Sequence, residues 1–131
     1  MDKIEKIKIQ VEDLTNALER LSEAVVLEGQ EIYRDGTIKR FEFSFEVAWK
    51  LLKSVNEFLG KYCFNPRDCI RLAYQNDLLN NPEAWFKYLE ARNLASHTYD
   101  EAQAEKVYEK AKEFLPEAQK VLSLIKTKLE L

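Results

Sequence analysis

Seven apolar residues, Ile4, Ile7, Val11, Leu14, Leu18, Leu21 and Val25, follow one another at alternating steps of three and four. Such a run winds one apolar stripe down a helix, whereas a half-buried strand needs steps of two. Held over more than three heptads, the stripe predicts a long helix over residues 2 to about 27, packed at a shallow angle in a bundle or coiled coil.

The same spacing returns in Ile38, Phe41, Phe45, Ala48, Leu52, Val55 and Leu59, with Gly60 as the C-terminal cap. Between the two stripes, Gly29 and the Asp35-Gly36 pair predict a loop or a frayed short segment, so the second helix is expected to begin near Thr37. Phe43, Val47, Trp49, Leu51 and Phe58 give this helix more apolar surface than one stripe needs. It is expected to lie centrally in the bundle or to share a face with a second chain. Along its polar side Glu46 and Lys50 stand in the favourable i,i+4 order. The carboxylates of Glu42 and Glu46 admit acid/base chemistry, but a solvated, salt-bridged face is the commoner meaning of such a row.

Two shorter helices follow, one capped by Asn65 with Pro66 in its first turn and continuing to Leu78 and Leu79, the next capped by Asn81 and opened by Pro82. A last helix starts at Asp100, with Gln103 placed to complete a capping box, and keeps helical period through Leu129. Pro116 falls inside it and predicts a kink or a split.

With three glycines and three prolines in 131 residues, turn material for a many-stranded sheet is missing. The expectation is an all-α, antiparallel up-down bundle, a four-helix core plus a short extra helix, forming a single domain over residues 1–131. Twenty basic against 23 acidic side chains leave a formal charge of −3. No global field attracts nucleic acid, so any such contact must rest on a local cluster, for which Arg34, Lys39, Arg40 and Lys50 are the candidates. Cys63 and Cys69 are too near in sequence to staple distant elements, and with one histidine they cannot complete a four-ligand zinc site. Free thiols in a reducing, bacterial-type cytoplasm are expected, with no metal, no cofactor, no signal peptide and no membrane partner.

Packing does not account for "RNLASHTY", residues 92–99, which places the lone histidine, His97, between Arg92 and Tyr99. If Asp100 caps the last helix, His97 and Tyr99 sit in a joint between helices, and a turn there can bring His97 back over the end of the helix that carries Arg92. An imidazole titrating near neutrality can take a proton from a ribose 2'-hydroxyl or give one to a leaving oxygen, and a guanidinium can hold charge growing on phosphate. One histidine cannot be base and acid at once, so a two-fold dimer is needed to supply both. Against this stands a plainer reading in which His97 bonds locally, Arg92 is an ion-pair partner and Tyr99 packs.

"RNLASHTY" resembles the motif of HEPN-superfamily proteins, in the version that continues to Tyr. Together, "RDGTIKRFEFSFEVAWKLLK" (34–53) and "ARNLASHTYDE" (91–101) resemble the nucleotidyltransferase substrate-binding protein family, and the likeness extends over nearly the whole chain. The resemblance implies a HEPN-like bundle that forms at least a homodimer and partners a minimal nucleotidyltransferase. One interpretation of such proteins makes them substrate-binding or adaptor subunits of that enzyme. The other, from HepT-type relatives, makes them RNA-cleaving toxins that the nucleotidyltransferase silences by moving AMP from ATP to the motif tyrosine. Carried onto this sequence, Arg92 and His97 would be catalytic, Asn93 a polar helper and Tyr99 the modified residue.

Overall fold

The computed structural model describes residues 2–27 and 29–131. Its elements are α1 (Lys3–Val25), α2 (Glu31–Phe58), α3 (Pro66–Gln75), α4 (Pro82–Leu94) and α5 (Glu101–Leu129), with a single 3-10 turn (Ala95–His97) between the last two helices. The stripe of α1 is buried as its spacing requires, from Ile7 through Val11, Leu14 and Leu18 to Leu21. Asp2 starts the helix by accepting from the Glu5 N–H at 2.8 Å.

α2 is the central element: it packs against α1, α3, α4, α5 and the 3-10 turn. That accounts for Leu51, which is buried, and for Val47 and Trp49, half-buried against the core, whereas Phe58 remains exposed. The Ser44 hydroxyl donates to the Ala17 carbonyl, and Arg40 to that of Arg20, so α1 and α2 run in opposite directions. α2 and α5 run the same way, because Arg34 meets Glu101 while Phe41 and Phe45 meet Phe114. α4 opposes both, and α1, α2, α4 and α5 form the expected up-down core with α3 inserted between α2 and α4. Phe114 is the hub of that core. Its ring lies 5.3 to 6.0 Å from those of Phe41, Trp85, Tyr88 and Phe45, mostly edge to face, as aromatic quadrupoles prefer.

Caps read from sequence recur at Asn65, Asn81 and Asp100. At Gly60 (φ 103°) the Gly60 and Lys61 N–H groups donate to the Glu57 and Asn56 carbonyls, the left-handed helix stop that favours glycine.

Five local expectations are corrected. α2 starts at Glu31, not Thr37, and takes Asp35 and Gly36 into its second turn. Burial of Arg34, Thr37 and Ile38 on that segment outweighs the cost of a helical glycine, about 1 kcal/mol. α3 stops at Gln75, and Leu78 and Leu79 reach the core from a turn in which Asp77 has φ 60°. Of the kink or split expected at Pro116, the split is excluded, because α5 is one helix through Pro116, whose lost backbone bond is offset by the buried Phe114 and Ala118 on either side. The capping box at Asp100 is half made: its carboxylate accepts from the Ala102 and Gln103 N–H groups, but the Asp100 N–H goes to the His97 carbonyl and not to Gln103. Finally, Cys63 and Cys69 are not free thiols but a disulfide, since the bend after Gly60 brings their Cα atoms to 5.3 Å.

Candidate functional site at the joint of α4 and α5

Arg92 lies in the last turn of α4, where the buried Ala91 and Ala95 hold the backbone against the core. Its guanidinium sits over the Phe45 ring, 5.6 Å from the centroid, and Nη1 donates to Glu46 Oε2 at 2.7 Å. Glu46 is drawn on its other oxygen toward Lys50 Nζ at 3.4 Å. The i,i+4 pair expected from the sequence is therefore present, but its carboxylate also orients the motif arginine, a role that the pattern of α2 alone did not announce. The only available signal was the position of Glu46 on the flank of a stripe containing Phe45.

The chain leaves α4 through the 3-10 turn, and the Asp100 N–H closes on the His97 carbonyl at 3.2 Å. This tight turn folds Tyr99 back over His97, with ring centroids 5.9 Å apart and the phenol oxygen 3.3 Å from Nδ1. Which of the two donates depends on the imidazole tautomer. Both side chains are open to solvent, and Tyr99 is 86% exposed, an unusual state for a large aromatic. Asn93 is exposed beside Arg92.

Imidazole and phenol are thus brought together, while the guanidinium is not joined to them. Among the described residues no hydrogen bond links Arg92 to His97, and the Arg92 Nε is buried without a partner. Of the four candidate cations for a local basic rim, Lys39 and Lys50 are exposed, while Arg34 and Arg40 are engaged within the bundle. Arg40 donates to the Arg20 carbonyl at 2.6 Å, and Arg34 is buried and forms a two-pronged pair with Glu101. The Arg34–Glu101 hydrogen bond holds the Glu101 carboxyl below its ordinary range and raises the Arg34 guanidinium. It also pins the first turn of α5, two residues past Tyr99, to the first turns of α2.

The arrangement can offer a reachable phenol nucleophile and a neighbouring imidazole for its proton, with a guanidinium on the adjoining helix that is engaged by Glu46. A helical up-down bundle with a polar motif at the joint of its last two helices is a class of partner and regulatory domains as much as of enzymes. The chain belongs to the family described as nucleotidyltransferase substrate binding protein like, which it matches over residues 9–127. It is 33% identical over 98 residues to a protein of Haemophilus influenzae named probable ribonuclease HepT; the match takes in 70% of this chain and spans 66% of that relative's length. A crystal structure from Thermus thermophilus superposes with a TM-score of 0.79 at 31% identity, covering 84% of this chain and 96% of the other. A Haemophilus influenzae structure said to reveal the fold of a substrate binding domain of a nucleotidyltransferase gives 0.80 at 26% identity, covering 88% and 98%. The family read from residues 34–53 and 91–101 is the one found.

Among the described residues, no helix is long and apolar enough to cross a membrane.

Proposed function

We propose that this chain is the helical partner of a minimal nucleotidyltransferase in a two-component, toxin-antitoxin type system of the cytoplasm, and that it is a metal-independent endoribonuclease silenced by AMP transfer to Tyr99. One observation carries the reading: a phenol that is 86% exposed lies 3.3 Å from the lone imidazole of the chain. In adenylylation the Tyr99 oxygen attacks the α-phosphorus of ATP, the bond to pyrophosphate breaks, and pyrophosphate departs with the electron pair. The phenolic proton passes to a base, for which His97 Nδ1 is the neighbour at hand.

In RNA cleavage His97 of one protomer takes the proton of a 2'-hydroxyl, the 2'-oxygen bonds to the adjacent phosphorus, and the 5'-oxygen leaves with a proton from the second protomer's imidazolium. Each chain holds one histidine, so a two-fold homodimer is part of the proposal. Arg92 would bear the phosphate charge and Asn93 would help hold it. AMP on Tyr99 sets a phosphodiester anion beside His97, where the RNA phosphate must lie.

A second reading, a non-catalytic substrate-binding or adaptor subunit of the nucleotidyltransferase, is favoured by the Arg92–Glu46 pair, because a guanidinium engaged by a carboxylate is less available to phosphate. The two separate on His97→Ala. Loss of RNA cleavage and of growth toxicity in that variant supports the ribonuclease; a wild-type protein with neither activity leaves the adaptor. Intact mass after co-expression with the nucleotidyltransferase tests the switch, through an added AMP that maps to Tyr99 and is missing in Tyr99→Phe.

A further inference from the structure

At the opposite end of α2 from the Arg34–Glu101 pair, the irregular link to α3 turns Tyr62 (61% exposed) and Phe64 (77%) outward on either side of the buried Cys63. The link is tied to the bundle twice. The Cys63–Cys69 bridge joins it to α3, and the fully buried Asn56 of α2 donates to the Cys69 carbonyl at 3.1 Å while accepting from Asn76 Nδ2 at 2.9 Å. Each ring also has a cation at its face, with Lys3 Nζ 5.8 Å from the Tyr62 centroid and Lys53 Nζ 5.8 Å from that of Phe64. Residues 46–71 carry five basic against three acidic side chains, a local positive excess in a chain whose formal charge is −3. Glu46 is engaged by Arg92 and Lys50, and Asp68 by Arg71. Among the described residues Lys53, Lys61 and Arg67 stand in no ion pair.

We infer that this surface is a stacking platform for single-stranded RNA, with an unpaired base on the Phe64 ring, a second on Tyr62 and a backbone phosphate at Lys53. The inference rests on the ribonuclease proposed above and makes its substrate a single strand. Lys53 follows Glu46, the carboxylate that holds Arg92, by seven residues, which puts it on the same flank of α2 and about 10.5 Å along the helix. A strand with one phosphate at Arg92 can therefore run along α2 to Lys53 and Phe64. Unpaired bases suit such a surface, because the face of any base stacks on an open ring, whereas bases in a duplex are stacked on one another. The local positive excess draws the phosphates that the chain as a whole repels. A protein partner fits less well: protein interfaces are poor in lysine, and here a lysine stands at each ring. The exposed large apolar residues of this stretch are Phe58, Tyr62 and Phe64, rings without aliphatic surface between them.

The test uses the full chain carrying His97→Ala, so that RNA is held without being cut, and reads the fluorescence anisotropy of a short, labelled, unstructured RNA oligonucleotide and of the same RNA annealed to its complement. In that background Phe64→Ala and Tyr62→Ala are each expected to weaken binding of the single strand about tenfold, and Phe64→Trp to keep it. Lys53→Ala is expected to weaken binding and to lessen its dependence on salt. The duplex should bind more weakly than the single strand, and helicity and oligomeric state should be unchanged throughout. Equal affinity of Phe64→Ala and its parent, or of single and double strands, overturns the platform. A changed oligomeric state in Phe64→Ala also overturns it, by assigning the rings to self-contact. Cleavage of the same oligonucleotide by the chain with His97 intact keeps the two proposals apart. Cleavage without ring-dependent binding removes the platform and leaves the ribonuclease; ring-dependent binding without cleavage leaves the platform on an RNA-holding adaptor; with neither, both fall.

Discussion

Arg92 Nη1 donates to Glu46 Oε2 at 2.7 Å, so the cation of the motif is held by the long second helix and not by the imidazole that follows it in sequence. The contact uses one nitrogen of the fork, and the guanidinium lies on the face of Phe45. Both partners are partly exposed, which places the pair among ion pairs contributing about 1 kcal/mol or less. Glu46→Ala is therefore expected to cost about 1 kcal/mol and lower the melting temperature by about 4 °C. A double-mutant cycle with Arg92→Ala measures the coupling; a coupling of zero would show that the two side chains do not sense each other.

The Arg34–Glu101 pair predicts a specific acid sensitivity. Its hydrogen bond depresses the Glu101 carboxyl below the ordinary 4.5 in the folded chain. A depressed carboxyl contributes stability above its unfolded value, and that contribution drains away as pH falls from about 4.5 through the lower folded value. Urea midpoints measured across that window are expected to fall less steeply for Glu101→Gln than for the wild type. Identical slopes would mean that Arg34 draws equally on its other carboxylates.

These two arginines also mark what the sequence could and could not convey. Helix type followed from spacing, because burial of Ile7 through Leu21 and of Phe41 through Val55 has to repeat at the helical period. Caps at Asn65, Asn81 and Asp100 followed from side-chain chemistry that acts within three residues. The start of α2 did not follow, since Asp35-Gly36 has the local chemistry of a turn, and the burial of Arg34, Thr37 and Ile38 that favours helix there, like the carboxylate 67 positions away that Arg34 reaches, is set by the rest of the fold. Glu46 as the partner of Arg92, and the bridge from Cys63 to Cys69, were hidden for a like reason. Each depends on how the chain returns on itself, which no local pattern records.

At the opposite end of the pH range Tyr88 governs. Burial, followed by the charges of Glu117 and Glu113, pushes its phenol up to about 12. A phenol that ionises later in the folded than in the unfolded chain withdraws stability as pH rises from about 10 toward about 12, because the unfolded state loses the proton first. Tyr88→Phe is expected to flatten the alkaline fall in stability and to remove the last step of the phenolate absorbance titration. If that last step persists in the variant, it belongs to another tyrosine.

The disulfide closes a short loop, so its removal has a modest, calculable effect. For a sequence separation of six, the chain-entropy relation gives about 2 kcal/mol. Dithiothreitol, or Cys63→Ala with Cys69→Ala, is expected to lower stability by about that much while leaving helicity intact, since the aromatic cluster of Phe41, Phe45, Trp85 and Phe114 does not include either sulfur. Thiol titration of protein unfolded without reductant decides whether the bridge is present in the cell-derived material: two reactive thiols would contradict it.

Tyr99 and His97 should separate function from stability more cleanly than any other pair in the chain. Their contact is at the surface, and Tyr99 buries little beyond its edge against one imidazole. Surface substitutions of this kind change stability by about 0.5 kcal/mol or less. Tyr99→Phe keeps the ring and removes the nucleophilic oxygen, and His97→Ala removes the group proposed to move protons; both are expected to melt within about 2 °C of the wild type. Under the proposed function Tyr99→Phe can no longer be silenced by the nucleotidyltransferase, so it should remain toxic when the two are co-expressed, and His97→Ala should be harmless with or without the partner. A Tyr99→Phe protein that is still neutralised would place the control in the docked complex itself, not in the covalent AMP.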